Sequence, residues 1–533
     1  MFRKKITIYL LLFLYLSIFV FPQSTPEEND WTPYLKKLSA VFAIIEDNYY
    51  QEVDSEKLIY AAIRGLLSTL DPHSHFLDPD LWASMREEQR GKFYGLGIQI
   101  QKLEDRLTVI SPIEGTPAYR LGIQAGDIIT HINGESTKEM SGVEAVRKLR
   151  GPKGTKVNIT IYREGLEKPI QLTITRQKIP LHSVPYSFML NQKTGYIFIR
   201  NFAQTTTREF EQAMEKLTEQ GMEKLILDLR YNSGGSLFQS INIADEFLEK
   251  GKLIVSTKGR NPSYNQSFFA LEDSQYEDLP LIILINKGSA SASEIVAGAM
   301  KDHGRALIVG ENSWGKGVVQ TVFSLTRNTA LALTTSKYYT PSGRCIQRDY
   351  SLLEDYYLMY QHAPSGKQGE SPPIGDKKDY PQGGILPDFK VKLTLSPVVI
   401  ELLNKGAFFS YARKFVSHLT PLSKKYEIVK SEKDRKKLTH GELILDYHFK
   451  VNEEMINDFK TFLIASKIRF DENKFDQATE EIRREITREI FAAIWGIKEG
   501  VRIYRKNDPV VIKALELFSK GTALVAKGRE TMR

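Results

Sequence analysis

Residues 281–321 read LIILINKGSASASEIVAGAMKDHGRALIVGENSWGKGVVQT. Leu281 to Ile285 is an apolar run short enough for a buried strand, and Asn286-Lys287-Gly288 breaks it. Ser289, Ser291 and Ser293 then alternate with alanines into a helical pattern. A second apolar run, Ala306 to Val309, precedes the glycine-bracketed Lys316. Upstream, Tyr196 to Ile199 reads as a strand, Thr207 to Gln220 as an amphipathic helix, and Leu225-Ile226-Leu227 as a buried strand. That strand runs into Asp228-Leu229-Arg230-Tyr231-Asn232-Ser233-Gly234-Gly235 and a helix from about Leu237 to Leu248. Such alternation predicts an α/β layer with parallel pairing. Functional groups then gather where strand C-terminal ends meet helix N-termini, as the Gly234-Gly235 and Ser291 turns do.

A chain of 533 residues has room for roughly three or four domains. With 41% hydrophobic and 26% charged residues it is an ordinary globular composition. The net charge of +8 is spread without a long lysine/arginine run, so no nucleic-acid partner is expected. The first five residues, MFRKK, are basic, and Ile6 to Phe21 is a 16-residue stretch dominated by apolar side chains. This matches an export signal and is short for a membrane-spanning helix of about 20 residues. No small-x-small cleavage site stands out before Ser24. A removed signal over 1–24 and a retained membrane anchor through 6–21 therefore both stay open. No cysteine lies near the run, which excludes lipid attachment there, and the single Cys345 cannot form an internal disulfide.

Apolar residues at helical spacing (Leu35, Leu38, Val41, Phe42, Ile45, then Leu58, Ile59, Ala62, Ile63, Leu66) predict helices between Trp31 and Leu70. Leu70-Asp71-Pro72-His73-Ser74-His75 follows. Its His-x-His pair lacks further ligands nearby, so a turn is favoured over a metal site. From Gly91 to Lys178 short β-type runs alternate with turns such as Gly126-Asp127 and Asn133-Gly134. Tyr94-Gly95-Leu96-Gly97 stands just before a strand that continues through Ile98. A glycine loop there turns backbone N–H groups inward, and the strand then pairs with an extended peptide, a way to capture a C-terminal carboxylate. With Gly115-Thr116-Pro117-Ala118 and Leu121-Gly122-Ile123-x-x-Gly126-Asp127, this ordered set resembles a PDZ domain. Val318 to Tyr339 is β-rich, Tyr350 to Gly383 is polar, and the last 135 residues or so are mainly helical. Expected helices there run from about Asp476 to Glu499 and from Val510 to Ala526.

Three chemistries compete for the 281–321 stretch. Ser291-x-x-Glu294 fits a capping box, which makes Ser291 a helix start. Gly310-x-x-x-x-Gly315-Lys316 begins a phosphate loop, but Gly317 stands where Ser or Thr must hold magnesium, and a strand follows instead of a helix. The third is a serine nucleophile with a lysine base. An ordinary lysine, with a pKa near 10.4, is protonated at neutral pH, and lowering it by about three units costs roughly 4 kcal/mol, which burial supplies. Oxyanion N–H donors are available from Ala292 at the helix start and from the Gly234-Gly235 turn. On the residues alone the first and third readings stay level.

Four ordered motifs separate them: Asp228-Leu229-Arg230-x-Asn232-x-Gly234-Gly235, Gly288 to Ile295, Gly310-Glu311-x-x-x-Gly315-Lys316-Gly317-x-x-Gln320, and Tyr339-Thr340-Pro341-Ser342-Gly343. Together with the PDZ-like region and the Leu-Asp-Pro-His-Ser element they resemble the C-terminal processing peptidase (tail-specific protease) family over about residues 35 to 395. The resemblance implies Ser291 as nucleophile, Lys316 as general base and Gln320 as the group orienting the lysine. It implies that Gly95, Leu96, Gly97 and Ile98 bind substrate C-termini; for Arg150, coupling of this binding to gating and a plain turn arginine both stay open. Tyr231-Asn232-Ser233 departs from the commoner Asn-Asn-Pro of the family. Gln320 is the hardest to rationalise, because four residues of strand span about 13 Å, so Gly315 or Gly317 must bend the chain.

The expected architecture is α+β and multidomain, an α/β serine protease core with an inserted PDZ domain and helical N- and C-terminal segments. The segments are a signal or anchor (1–24), helices (30–90), the PDZ domain (91–180), the protease core (181–395) and a helical extension (396–533). The expected activity is cofactor-free, metal-free cleavage of proteins with accessible C-termini in the periplasm or cell envelope, with terminal helices available for self-association. The contrasting reading is a catalytically silent PDZ scaffold that only binds protein tails.

Overall fold

The computed structural model describes residues 30–103, 105–164, 166–348, 383–429 and 443–518. The apolar run at 6–21, nearly all of the polar stretch from Tyr350 to Gly383, and the end of the helix expected to reach Ala526 lie outside the described residues. The chain divides after Leu70. In the first unit, helices Thr32–Asn48 and Ser55–Ser68 form where the apolar spacing predicts them. Asp54 caps the second by accepting the Lys57 N–H at 3.1 Å.

In the second unit a two-stranded antiparallel ribbon, Lys92–Gly95 with Gln177–Pro180, brings the two ends of the PDZ-like segment side by side. Between them the strands Ile98–Leu103, Arg106–Pro112, Ile128–Ile132, Lys156–Tyr162 and Ile170–Thr175 lie in that order in one sheet. Leu107, Val109, Ile129, Ile159, Ile161 and Ile174 fill its core. Ile98–Leu103 is therefore an edge strand with one side free to pair.

The core sheet has six strands: β1 (Tyr186–Met189), β2 (Thr194–Phe198), β3 (Lys224–Asp228), β4 (Leu281–Ile285), β5 (Leu307–Gly310) and β6 (Phe389–Lys390). They lie in sequence order, with β1 antiparallel to β2 and every later pair parallel. Right-handed crossovers between consecutive parallel neighbours put the connecting helices on a single face. Those helices are α1 (Thr206–Glu219), α2 (Leu237–Asp245) and α3 (Ala292–Asp302). Ile197, Leu225, Leu227, Ile283, Ile285 and Ile308 point to that face and pack with Phe210, Met214, Ile241, Ala244, Val296 and Ala299. Their neighbours along the strands, Tyr196, Ile226, Ile282, Leu284, Leu307 and Val309, point the other way.

The second face is covered from the far end of the chain. Helix 509–518 lays Val510, Val511, Ala514, Leu517 and Phe518 on it. Both faces of β4 are thus buried, which is why Leu281–Ile285 is apolar at every position. The rest of the extension builds its own core from Leu402, Phe408, Tyr411, Phe415, Phe459, Phe475, Ile482, Ile486 and Ile490. The helix expected from about Asp476 to Glu499 is instead two, Thr479–Trp495 and Ile497–Lys506, because Gly496 at φ +95° does not continue a helix.

A buried charge network fastens helix 509–518 to the motif that begins with Asp228. Arg230 Nη2 donates to Asp228 Oδ2 at 2.6 Å and to Asp508 Oδ2 at 2.8 Å. Arg505 Nη1 donates to Asp508 Oδ2 at 3.0 Å, Tyr196 Oη to Asp228 Oδ2 at 2.7 Å, and Asp508 Oδ1 accepts the Val510 N–H at 2.9 Å. Arg230, Asp228 and Asp508 are all buried. Removing one partner leaves uncompensated charge in a dry site, typically a loss of about 3–5 kcal/mol. Asp508→Ala is therefore expected to lower the unfolding free energy by about that much in urea titrations, and Asp508→Asn by less, since the amide oxygen still accepts.

Candidate active site

The turn after β4 is built by side chains that answer backbone groups. Asn286 Oδ1 accepts the N–H groups of Gly288 (3.0 Å) and Tyr231 (2.9 Å), locking it to the 228–235 turn. Ser289 Oγ donates to Leu229 O at 2.8 Å and accepts the Asn286 N–H at 3.0 Å, and Ser293 Oγ donates to Asn232 O at 2.8 Å. Both serines are fully buried. Ser291 is half-buried and stands at φ 55°, ψ −115°, a strained turn directly before α3. Of the three serines, only Ser291 thus stands in contact with solvent. Tyr338 Oη donates to the Ser291 carbonyl at 3.2 Å.

Glu294, the last residue of the capping box, is completely buried and does more than cap. Its Oε2 accepts the N–H of Ser291 at 2.8 Å and the N–H of Lys316 at 2.9 Å. Its Oε1 accepts the N–H of Gly315 at 2.7 Å and Ser313 Oγ–H at 2.5 Å. Burial raises its carboxyl above the ordinary range, and the four donors oppose this. One carboxylate therefore joins the serine turn to the lysine loop. The sequence shows this residue only as a helix cap, because its other partners lie 19 to 22 residues downstream.

Lys316 precedes the strand Val318–Ser324, which pairs antiparallel with Ala330–Tyr339. Its Nζ donates to Gln320 Oε1 at 2.7 Å, and Gln320 Nε2 donates to His73 O. The chain closes the 13 Å gap in two ways. Gly315 takes φ +91°, and the register slips by a bulge between Val319 and Gln320. Burial lowers the Lys316 pKa, while Glu294 and Asp71 oppose that shift. The Leu-Asp-Pro-His-Ser element forms the turn expected of it: Asp71 Oδ1 accepts the N–H groups of His73 and Ser74, each at 2.7 Å. Burial, helped by the neighbouring Lys316 charge, pushes the His73 imidazole down to about 4. Nothing in the sequence places this turn beside Lys316.

Among the candidate oxyanion donors the structure distinguishes Gly234 from the others. The Gly234 N–H, expected to face a developing oxyanion, donates instead to Asn232 Oδ1 at 2.9 Å. The N–H groups of Gly235 and Ala292 make no hydrogen bond among the described residues. The Gly234 turn lies against Ser291, since a Cβ on Gly234 would sit 2.8 Å from Ser291 Cβ and 3.1 Å from Ala292 N. In the PDZ-like sheet, Gly97 takes φ +80° with Thr116 where a Cβ would be. The Leu96 and Gly97 N–H groups are likewise unengaged among the described residues, and Ile98 opens the free edge strand. Arg150 stacks its guanidinium 4.2 Å from the Phe93 ring centre and bonds Glu87 Oε2 at 3.1 Å, beside that loop.

The family model described as Peptidase family S41 matches residues 193–357, a PDZ domain model residues 108–163, and a model described as the activating protease CtpB N-terminal domain residues 19–81. A carboxy-terminal-processing protease of Bartonella bacilliformis is 41% identical over 353 residues, covering 65% of this chain and 81% of that protein. A probable CtpA-like serine protease of Staphylococcus aureus is 39% identical over 315 residues, 58% of this chain and 62% of that protein, so under two thirds of the latter is spanned. Among solved structures, a photosystem II D1 C-terminal processing protease is 27% identical over 69% of this chain and 95% of its own, with a TM-score of 0.36.

Two outcomes follow from this geometry. Glu294→Ala strands four buried donors and is expected to cost at least about 3 kcal/mol of stability in denaturant titration. His73 binds its proton less readily folded than unfolded, so the unfolded chain gains protons first as pH falls from 6.5 to about 4. Stability is expected to drop across that window, and His73→Asn to flatten the drop in a pH series of melting temperatures.

Proposed function

This chain belongs to peptidase family S41, the carboxy-terminal-processing serine proteases, and we propose on that premise that it cleaves proteins near their C-termini with a Ser291/Lys316 dyad. The observation that carries the reading is the buried Glu294 carboxylate, which holds the backbone of Ser291 and of Lys316 at once. The solvent contact of Ser291, against the locked hydroxyls of Ser289 and Ser293, supports it as the nucleophile.

The substrate's tail adds as a strand to Ile98–Leu103, with its carboxylate on the Leu96 and Gly97 amides. Arg150, tied to Glu87 beside that loop, is the residue through which tail binding reaches the core. Neutral Lys316, turned by Gln320, takes the Ser291 Oγ proton as the oxygen attacks the scissile carbonyl carbon. The resulting oxyanion meets the Ala292 and Gly235 N–H groups. Lys316 then returns the proton to the leaving amine, which departs and leaves an acyl-enzyme. Lys316 takes a proton from a water molecule as the water oxygen attacks the ester carbon. The bond from that carbon to Ser291 Oγ then breaks, Lys316 returns the proton to Oγ, and the acid product leaves. The apolar run at 6–21 directs the enzyme to the cell envelope. No described helix is long and apolar enough to cross a membrane.

Wild type is expected to degrade an unstructured protein with an apolar C-terminus, and Ser291→Ala or Lys316→Ala to slow this by at least about a thousandfold. Equal degradation by all three would sink the dyad. The rate is expected to rise with pH along a limb set by Lys316, placed below the ordinary lysine range by burial. Glu294 raises the Lys316 pKa, so Glu294→Gln should move that limb to lower pH while reducing kcat.

A further inference from the structure

Six non-glycine residues take positive φ among the described residues: Asp105, Asn133, Tyr231, Ser291, His418 and Lys467. Four have local reasons. Asp105 and Asn133 sit in tight turns between paired strands, where Asp and Asn tolerate the left-handed region. His418 and Lys467 each follow the C-cap of a helix, the usual left-handed position there. Ser291 is the candidate nucleophile. Tyr231, at φ 60°, is left without such a reason.

Everything the fold asks of position 231 is asked of its backbone. Its N–H donates to Asn286 Oδ1 at 2.9 Å, and the Asn232 N–H closes the turn on Leu229 O at 3.2 Å. Glycine or asparagine would serve, and a bulky side chain at positive φ is strained. The ring finds little compensation within the chain. Tyr231 is 65% exposed, and its hydroxyl has no hydrogen-bond partner among the described residues. One side lies against Gly288, where a Cβ would stand 3.1 Å from Tyr231 Cδ1. Gly288 is three residues from Ser291, a span of at most about 10 Å. On the other side of the Gly234-Gly235 turn, Phe238 is also exposed (64%) and meets Phe268 edge-on at 6.0 Å.

Tyr231 is thus a strained, exposed aromatic beside the turn that lies against Ser291. We infer that Tyr231 is a specificity-determining residue, whose ring receives an aromatic or bulky apolar side chain of the substrate within three residues of the scissile bond. The inference rests on the proposed Ser291 cleavage site. Ring-on-ring packing there is strong enough for roughly tenfold discrimination between substrates.

The test uses the full chain and paired peptides with a common apolar C-terminus, carrying phenylalanine or glycine at each of the three positions on either side of the cut. Wild type is expected to favour phenylalanine at one of these positions in kcat/KM. Tyr231→Gly should cut that preference about tenfold, mainly through KM, while Tyr231→Phe keeps it. Because glycine removes the strain, Tyr231→Gly should melt at the same or a higher temperature, and Tyr231→Asn should behave likewise. An undiminished phenylalanine preference in Tyr231→Gly overturns the inference. So does a fall in melting temperature in both the glycine and asparagine variants, which would make the ring structural. Cleavage that persists in Ser291→Ala would instead overturn the dyad, and the preference ratio still decides Tyr231 separately.

Discussion

The site depends on one buried carboxylate. Glu294 sits at the first turn of α3, where a helix N-terminus favours negative charge, and its four acceptor positions are filled by four donors. Two of the donors are the backbone N–H groups of Ser291 and Lys316, the two residues of the proposed dyad. Their relative position is set by a bond network with no water-exposed member at its centre. The same charge opposes the burial that lowers the Lys316 pKa. The arrangement is a balance: without Glu294 the two loops lose their tie, and with it the lysine is harder to deprotonate.

Around that point the fold is layered by strand order. Consecutive parallel strands put α1, α2 and α3 on one face and leave the other to be covered by residues far away in sequence. Helix 509–518 provides the cover, and Asp508 joins it to Arg230, two residues before Asn232. Asn232 in turn orients Gly234 and accepts from Ser293. The end of the extension is thus mechanically continuous with the turn that faces Ser291.

Much of this was legible in the sequence, and the limits are physical. Strand, turn and helix around Ser291 showed in local periodicity, as did the Gly95 to Ile98 loop and the helices of the first unit. What stayed hidden depended on distant pairing. Carbonyls at Leu229 and Asn232, some sixty residues upstream, bury Ser289 and Ser293, so the residues alone could not choose among three serines. The Lys316–Gln320 contact needs a bulge that exists only against the partner strand. The Gly234-Gly235 turn reads as a source of oxyanion donors, and the Asn232 amide oxygen that takes the Gly234 N–H shows only in the fold. The tie between Asp508 and Arg230 crosses 278 positions, and no local pattern encodes it.

The central claim is that Ser291 is a nucleophile made reactive by Lys316. The most direct measurement is peptide mapping by mass spectrometry after labelling the full chain with a serine-reactive fluorophosphonate. One adduct is expected, on Ser291, formed rapidly in wild type and at least about a hundredfold more slowly in Lys316→Ala. An adduct on another serine, or labelling of Ser291 at an undiminished rate without Lys316, would contradict it.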